Sequence, residues 1–472
     1  MKLRVENLAR IKEADVEIKN LTLFVGQNST HKSYLAHVIY ELYKEVSSLH
    51  KNRINLIKII SNILRKVNQE FKNDIEYILS LKRQLSESQI EHQISEDDYE
   101  IEHITNVKVL IKKNDEKLNN FLLIINNLLL DELTKKIDSS FNKKSKVIDK
   151  ITIENNYNIL NEDFFNLSFN IPLEYFEENS NEISDKISDK IISNIIRNLI
   201  EKLISKLLGF TTSYYFPASR TGFVLTLDEI YAGIFRDKFR GQVSNTRLGE
   251  PTIDFIQKFA DIKTGKDSEE SFFSLLYKSK DKNNNRIEKL INFLEKNIIK
   301  GRIKEVTNEQ DYKSYFLEIE GEELDLHLAS SATLEILPFI VFLKNTVDIS
   351  KTFFVIEEPE AHLHPKAQVQ MAKFIVMLSN AGAKVLVTTH SDYILNEINN
   401  CIKLSSLDSD NTFAISKDNV SAYLLKNEKN ETTVNQLDID KFGIANDNFD
   451  EVLDELLDKS SELSEQILDN DK

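Results

Sequence analysis

The chain holds one cysteine, six prolines, eleven glycines and no tryptophan in 472 residues. A single cysteine, Cys401, excludes an internal disulfide and a cysteine-based zinc cluster, and it fits a reducing, cytoplasmic compartment. No apolar run reaches the roughly 18 residues that a membrane-spanning helix needs. The opening MKLRVENLARIKEADVEI alternates and is charged, so no signal-peptide core is expected there. The scarcity of Gly and Pro leaves few helix breakers. Positive charge is also in deficit. Sixty Lys and Arg stand against 76 Asp and Glu, a net charge of −16. That balance argues against nucleic-acid binding through bulk charge. The deficit is uneven: residues 438–472 hold twelve acids and three lysines, whereas 278–305 hold nine Lys or Arg and four acids. A local basic patch on nucleic acid therefore stays open.

What the chain does have is a 41% hydrophobic content, enough for a core, and a length that allows more than one domain. Its most informative stretch is FFVIEEPEAHLHP, Phe353 to Pro365. Four apolar residues predict a short buried strand. Glu357 and Glu358 follow at its end, where ligands bind in open α/β sheets. One acid there can hold a metal ion and the other can polarise a water. This is the pattern of a Walker B motif with its catalytic glutamate.

The partner motif lies near the start. LTLFV, Leu21–Val25, predicts a buried strand that runs into GQNSTHKS, Gly26–Ser33. Leu35, Val38, Ile39, Leu42 and Val46 then recur at helical spacing. Strand, polar loop and helix form the context of a P-loop, whose backbone N–H groups cradle phosphate at a helix N-terminus. Gly26, Asn28, Ser29, Thr30, His31, Lys32 and Ser33 are the candidate phosphate-binding residues. Lys32 would reach the β- and γ-phosphates, and Ser33 would bind Mg²⁺. His31 stands where the pattern has its second glycine. Glycine there allows positive φ, so a histidine must adopt it with its ring turned away.

Between these motifs, Ile54–Leu85, Ile104–Ile137 and Asp185–Leu208 read as helices. Residues 150–175 read as a small β-hairpin patch. SYYF before Pro217 is a strand candidate with Arg220 just beyond. That arginine could meet a phosphate or a partner, or equally pair with an acid on the surface. Residues 226–300 read as helical with a polar loop at Lys278–Arg286. GRIKEV, SYFLEIEG and ELDLHL alternate as strands from Gly301. LASSATLEILPFIVFLK opens a helix, with Ser330 and Ser331 suited to its N-cap. His362 and His364 have an H-x-H spacing, but no third ligand is near, and a structural role in the turn before the next helix is favoured. AKVLVTTHS predicts another buried strand, with His390 at its end and a helix from Asp392. In the tail, Asn411–Ser416, Val420–Lys426 and Thr432–Leu437 read as strands. A last helix from about Asp447 carries an apolar stripe including Phe449, Leu453 and Leu456. No internal repeat is present.

The set, in this order, resembles the split head of ABC-type ATPases. The nearest branch is the OLD-like (overcoming-lysogenization-defect) and structural-maintenance-of-chromosomes-like group. EEPEAHLHP and LVTTHS carry the resemblance, over residues 1–46 and about 301–400, with PASRTG at 217–222 as a further point. It implies an α/β fold: an ABC-type P-loop ATPase head with a large helical insertion. The head would comprise residues 1–46 and 301–437. Residues 47–208 would be the insertion, 209–300 a linking strand and helical segment, and 438–472 an acidic C-terminal helix. It implies ATP and Mg²⁺ as ligands, Glu357 supporting the metal, Glu358 activating water and His390 as a switch histidine. Ser330 and Ser331 match the serines of the family's signature motif, with Ala332 where glycine is usual. That motif completes a second subunit's site, so a homodimer or larger homo-oligomer is implied. Two altered glycine positions bear on turnover more than on fold. Three readings follow: an ATPase controlling a separate effector such as a nuclease, in anti-phage defence or DNA metabolism; a nucleotide-sensing scaffold with little turnover; and an OLD-like nuclease. The last has only the lone Asp438 and Asp440 to offer.

Overall fold

Continuous apolar runs bounded by polar turns are the signature of strands covered on both faces. Leu21–Val25 and Thr352–Glu357 behave that way, with every residue buried. The computed structural model describes residues 2–51, 104–112, 150–154, 164–172, 212–227, 248–265 and 282–445, apart from a few single positions, with scattered residues elsewhere. Two compact units result. One comprises Met1–Arg4, Leu42–Ser139 and Asp149–Gly209, and the other Val5–Glu41, Ser140–Ile148 and Phe210–Lys472.

The second unit is an α/β structure, as expected. Its elements, numbered in chain order over the whole protein, begin with β1 (Lys2–Leu8, of which Val5–Leu8 belong to this unit), β2 (Ile11–Glu17), β3 (Leu21–Val25) and α1 (Lys32–Lys51, of which Lys32–Glu41 belong to it). In the first unit lie β4 (Ile104–Lys112), β5 (Lys150–Glu154) and β6 (Phe164–Pro172). The second unit resumes with β7 (Thr212–Phe216), α2 (Arg220–Leu225), α3 (Glu250–Lys263) and α4 (Lys282–Leu294). Next come β8 (Arg302–Thr307), β9 (Lys313–Ile319), β10 (Glu322–Asp325) and α5 (Ser331–Lys344). Then follow β11 (Thr352–Glu357), α6 (Pro365–Asn380), β12 (Lys384–Thr389) and α7 (Asp392–Leu407). The last described strands are β13 (Val420–Glu428), β14 (Glu431–Gln436), β15 (Ile439–Asp440) and β16 (Gly443–Ile444).

Within this unit the main sheet runs β1–β2–β14–β13–β3–β12–β11–β7. From β13 to β7 all neighbours are parallel. The register places Thr389 beside Val25 and Glu357 beside Thr388, so three carboxyl ends finish level. β8, β9 and β10 form a separate antiparallel sheet.

The core is rich in aromatic rings. Phe216 of β7 stacks on Phe339 of α5 at 4.3 Å and also meets Phe342 and Phe354. Helix α5 is buried at every residue from Thr333 to Leu343, as an apolar helix with no polar face must be. It even accommodates Pro338 in its interior.

Several elements depart from expectation. Residues 104–112 form a strand, not a helix, and pair antiparallel with β6. Thr105, Val107, Val109 and Ile111 are β-branched at alternate positions, a period-two pattern hidden within a longer apolar stretch. The 150–175 patch does contain two strands, but the described partner of β6 is β4. ELDLHL stops being strand at Asp325, whose side chain accepts the His327 N–H and starts a 3₁₀ turn over Leu326–Leu328. Residues 282–286 of the expected polar loop belong to α4. Asn411–Ser416 is no strand: the Asn411 side chain accepts the Phe413 N–H and closes a turn. The helices expected at Ile54–Leu85, Asp185–Leu208 and from Asp447 lie outside or almost outside the described residues. Among the described residues, no helix is long and apolar enough to cross a membrane.

Phe216 joins β7, the last strand of the main sheet among the described residues, to α5 through ring contacts. Phe216→Ala is expected to cost about 3–5 kcal/mol of stability, measured by denaturant unfolding; a loss under about 1 kcal/mol would show that the ring stack does not hold β7 in place.

Candidate functional site

The loop after β3 is shaped by close packing. Gly26 has φ +145°, and a Cβ there would lie 2.3 Å from the carbonyl oxygen of Leu425 on β13. No other residue fits. Thr30 Oγ1 donates to the Gln27 carbonyl at 2.8 Å and closes the turn. Ser29 and His31 have φ of +64° and +63°. Such left-handed steps aim successive N–H groups into a concavity suited to anions.

His31 therefore does adopt the backbone conformation that glycine usually supplies there. Its ring is held from outside the loop: Nδ1 lies 2.9 Å from Thr432 Oγ1 on β14. The Thr432 hydroxyl donates to Asn427 Oδ1 at 2.9 Å, so the His31 Nδ1–H is the donor toward it. Asn427 Nδ2 in turn donates to the Ser29 carbonyl at 3.1 Å. The β13–β14 hairpin thus braces both left-handed residues. Histidine is among the residues that best tolerate this region, and the Thr432 contact offsets its strain.

Lys32 begins α1 and turns its ammonium back under the loop. Nζ donates to the Gly26 carbonyl at 2.8 Å and the Gln27 carbonyl at 2.7 Å. Burial lowers its pKa, opposed by the charges of Glu358, Glu360 and Glu357. A cation facing three carboxylates at a loop of N–H groups forms a site of mixed charge suited to a phosphate and a metal ion together.

Glu357 ends β11 and is buried. The neighbouring Ser33 side chain, Tyr215 hydroxyl and Ala218 N–H favour its charged form. Burial nonetheless pushes its pKa upward. Its Oε1 is buried without a hydrogen-bond partner. A hydroxyl and a carboxylate in contact, with one carboxylate oxygen free, fit Mg²⁺. That ion takes one or two protein oxygens and completes its shell with water and substrate phosphate. Among the described residues no group of three or more His, Cys, Asp or Glu could hold a metal by itself.

Glu358 is half-buried with φ +41°, an uncommon conformation for a non-glycine residue. Its N–H donates to the Thr388 carbonyl at 2.9 Å, which pins the strained turn to β12. His390 follows β12. Glu360 Oε1 accepts the His390 N–H at 2.8 Å and the Thr389 hydroxyl at 2.9 Å, and lies 3.2 Å from His390 Nδ1. Glu360 therefore orients the imidazole, which is 41% exposed.

The structure thus gathers Gly26 to Ser33, Glu357, Glu358 and His390 on level strand ends. Ser330 and Ser331 are placed differently. Ser330 Oγ caps α5 by accepting the Thr333 N–H at 3.2 Å, and both serines are exposed. Among the described residues no hydrogen bond or ion pair links either to the loop. His364 caps α6 through Nδ1, a structural role as expected.

Four positions escaped the sequence reading: Glu360, Thr432, Tyr215 and Glu335. Of the roles open to Arg220, pairing with an acid is the one the structure shows, in the core and not on the surface. Arg220 is fully buried and paired with Glu335 at 2.7 Å. The one sequence signal for Glu360 is a third acid in a run that already held two.

Residues 1–395 match a family model described as an AAA ATPase domain. No curated protein matches the chain. Among solved structures, the chain is similar to an Smc head bound to the C-winged helix domain of ScpA. Identity is 11% over 93% of this chain and 98% of that one, with a TM-score of 0.36. It is similar also to an Smc head domain with an extended coiled coil, bound to the C-terminal domain of ScpA from Pyrococcus furiosus. Here identity is 11% over 99% and 98%, with a TM-score of 0.34. The SMC head domain from Thermotoga maritima matches at 10% identity over 93% and 98%, with a TM-score of 0.31.

Two substitutions probe the pocket. Gly26→Ala drives a methyl group into the Leu425 carbonyl and is expected to weaken nucleotide binding by about tenfold or more, since it deforms the loop; unchanged affinity in a titration with a fluorescent ATP analogue would refute the fit. Glu357→Gln removes a buried charge whose burial is unfavourable. The nucleotide-free variant is expected to melt higher than the parent, yet its Mg²⁺-dependent nucleotide affinity should fall by at least about tenfold. Calorimetry with and without Mg²⁺ reads both.

Proposed function

Because the chain belongs to the AAA ATPase domain family, we propose that it binds Mg²⁺–ATP at Gly26–Ser33 and hydrolyses it with Glu358 as the group that activates water. The observation that carries this reading is the contact between Ser33 and Glu357 beside Lys32, at level strand ends. It joins the two candidate Mg²⁺ ligands next to the candidate phosphate-binding lysine.

In this reading Gly26, Asn28, Ser29, Thr30 and His31 present the loop backbone to the phosphates. Lys32 leaves its carbonyl partners to meet the β- and γ-phosphates. Ser33 and Glu357 would hold Mg²⁺, whose positive charge would offset the negative charge that develops in phosphoryl transfer. Glu358 accepts a proton from the attacking water, and His390, steadied by Glu360, donates toward the γ-phosphate. Ser330 and Ser331 sit exposed at the N-terminus of α5. There they are suited to the nucleotide of a second copy, so the working form is a homodimer or larger homo-oligomer. A separate effector protein, such as a nuclease in anti-phage defence or DNA metabolism, would read the nucleotide state; the resemblance of EEPEAHLHP and LVTTHS supports this.

A nucleotide-sensing scaffold with slow turnover is the second reading. It is favoured by the side chains at His31 and Ala332, where the loop and α5 would meet phosphate. A nuclease within this chain has less support, because Asp440 Oδ1 accepts the Phe442 N–H at 2.7 Å and serves a tight turn.

Steady-state phosphate release from the full chain and from Glu358→Gln separates these readings. Hydrolysis in the parent, lower by roughly 10²–10⁴-fold in the variant, is expected for a lost general base. Equal release from both would sink the ATPase reading, and ATP-dependent thermal protection without release would support the scaffold.

A further inference from the structure

β7 stops at Phe216, opposite Ile356 of β11. In this parallel register the next ladder donor due at the Glu357 carbonyl is the Ala218 N–H, which instead interacts with the Glu357 carboxylate. The Glu357 carbonyl therefore leaves the sheet without a ladder donor, just where the chain turns into the left-handed conformation of Glu358. A buried carbonyl must find a donor elsewhere. Arg220 supplies it. Its NH1 donates to the Glu357 carbonyl at 2.6 Å and the Pro217 carbonyl at 3.0 Å, and its NH2 donates to the Glu358 carbonyl at 3.2 Å.

The remaining guanidinium nitrogen faces α5. Arg220 Nε lies 2.7 Å from Glu335 Oε2, with both side chains at most 1% exposed. The other Glu335 oxygen accepts the Thr221 hydroxyl at 2.6 Å. Glu335 sits in the second turn of α5, four residues after Ser331. Phe339, one turn further along α5, packs its ring 5.5 Å from the guanidinium carbon. Burial lowers the pKa of Arg220, and the neighbouring Glu335 carboxylate is the main opposing influence.

A buried ion pair is a poor source of stability, and apolar replacements of similar volume often serve as well. The surrounding phenylalanines would accept one. An apolar side chain cannot, however, donate to two adjacent carbonyls while bonded to a carboxylate on another helix. The planar fork of arginine can, and lysine cannot. We infer that the Arg220–Glu335 pair is a positioning link, which holds the Glu357–Glu358 backbone in its strained turn and makes that turn depend on the placement of α5. Its catalytic consequence rests on the ATPase reading given above; its structural consequence does not. A shift of α5, whose first turn carries Ser330 and Ser331, is transmitted through Glu335 and Arg220 to the backbone that aims Glu358. Occupation of one site by a second copy's α5 is thereby sensed at that copy's own carboxylate.

The test uses the full chain with three variants: Arg220→Lys, Glu335→Gln, and the double variant Arg220→Met with Glu335→Leu, which keeps the volume filled. Hydrogen exchange is followed at the Glu358 and Ala361 amides, which are bonded to the Thr388 and Glu358 carbonyls. In all three variants exchange there is expected to accelerate by about tenfold or more; the melting temperature of the double variant stays near that of the parent, whereas the two single variants, which leave a buried charge or buried carbonyls without a partner, melt lower. The rate of ATP hydrolysis is expected to fall roughly ten- to a hundredfold, as for a misplaced catalytic group, with affinity for an ATP analogue changed by less than about threefold. Parental exchange at these amides in the double variant overturns the link. Should the double variant not fold, Glu335→Gln decides: it preserves shape and removes the charge from α5, so unaltered exchange near Glu358 overturns the link equally. If the parent hydrolyses no more ATP than Glu358→Gln, the ATPase reading fails, and the exchange measurement still decides the link.

Discussion

The in-register parallel pairing of β3, β12 and β11 is the constraint on which the rest depends. Val25 lies beside Thr389, and Thr388 beside Glu357. The loop, the histidine and the acid pair therefore leave the sheet at one level. A slip by one residue would turn every side chain of a strand to the opposite face. The close packing of side chains on both buried faces of these strands resists it. Chemistry-bearing residues from positions 26, 357 and 390 converge because apolar burial fixes the strands, not because they attract one another.

Convergence alone leaves the local backbone strained. Ser29, His31 and Glu358 all have positive φ, and such residues persist only where the surroundings over-determine them. Each has a brace from a distant part of the chain. Asn427 holds the Ser29 carbonyl, Thr432 holds the His31 ring, and Arg220 with Thr388 holds both sides of Glu358. The β13–β14 hairpin is thus more than an end to the sheet. Gly26 lies directly against it, so loop shape and hairpin position are one feature.

Buried polar groups follow the same logic. Arg220, Glu335, Glu357 and Glu360 lie at or beneath the site with almost no exposure. A core built for stability alone would be apolar there. Arg220 and Glu335 satisfy backbone groups where the sheet ends, Glu360 orients His390, and Glu357 keeps one oxygen free. The unfavourable burial of these charges is a cost of shaping the site.

Much of this was legible in the residues. LTLFV before GQNSTHKS, FFVIEE and KVLVTTH each announce a buried strand followed by polar chemistry, because continuous apolar runs and abrupt polar ends are local signals. Ser330 as an N-cap was legible for the same reason. The strand at 104–112 was not, since alternation of β-branched residues lay inside an apolar stretch that also suited a helix. Nor were the partners of His31, Arg220 and His390. What the sequence determined by itself was which segments become strands and helices and which carry phosphate-binding or acid chemistry; these follow from local patterning. Only the tertiary structure decided that Thr432 accommodates a histidine in a glycine's place, and that Arg220 joins α5 to the end of β11. Such pairings link residues far apart in the chain, and what selects them is the need of each buried polar group for a partner, which no local pattern encodes.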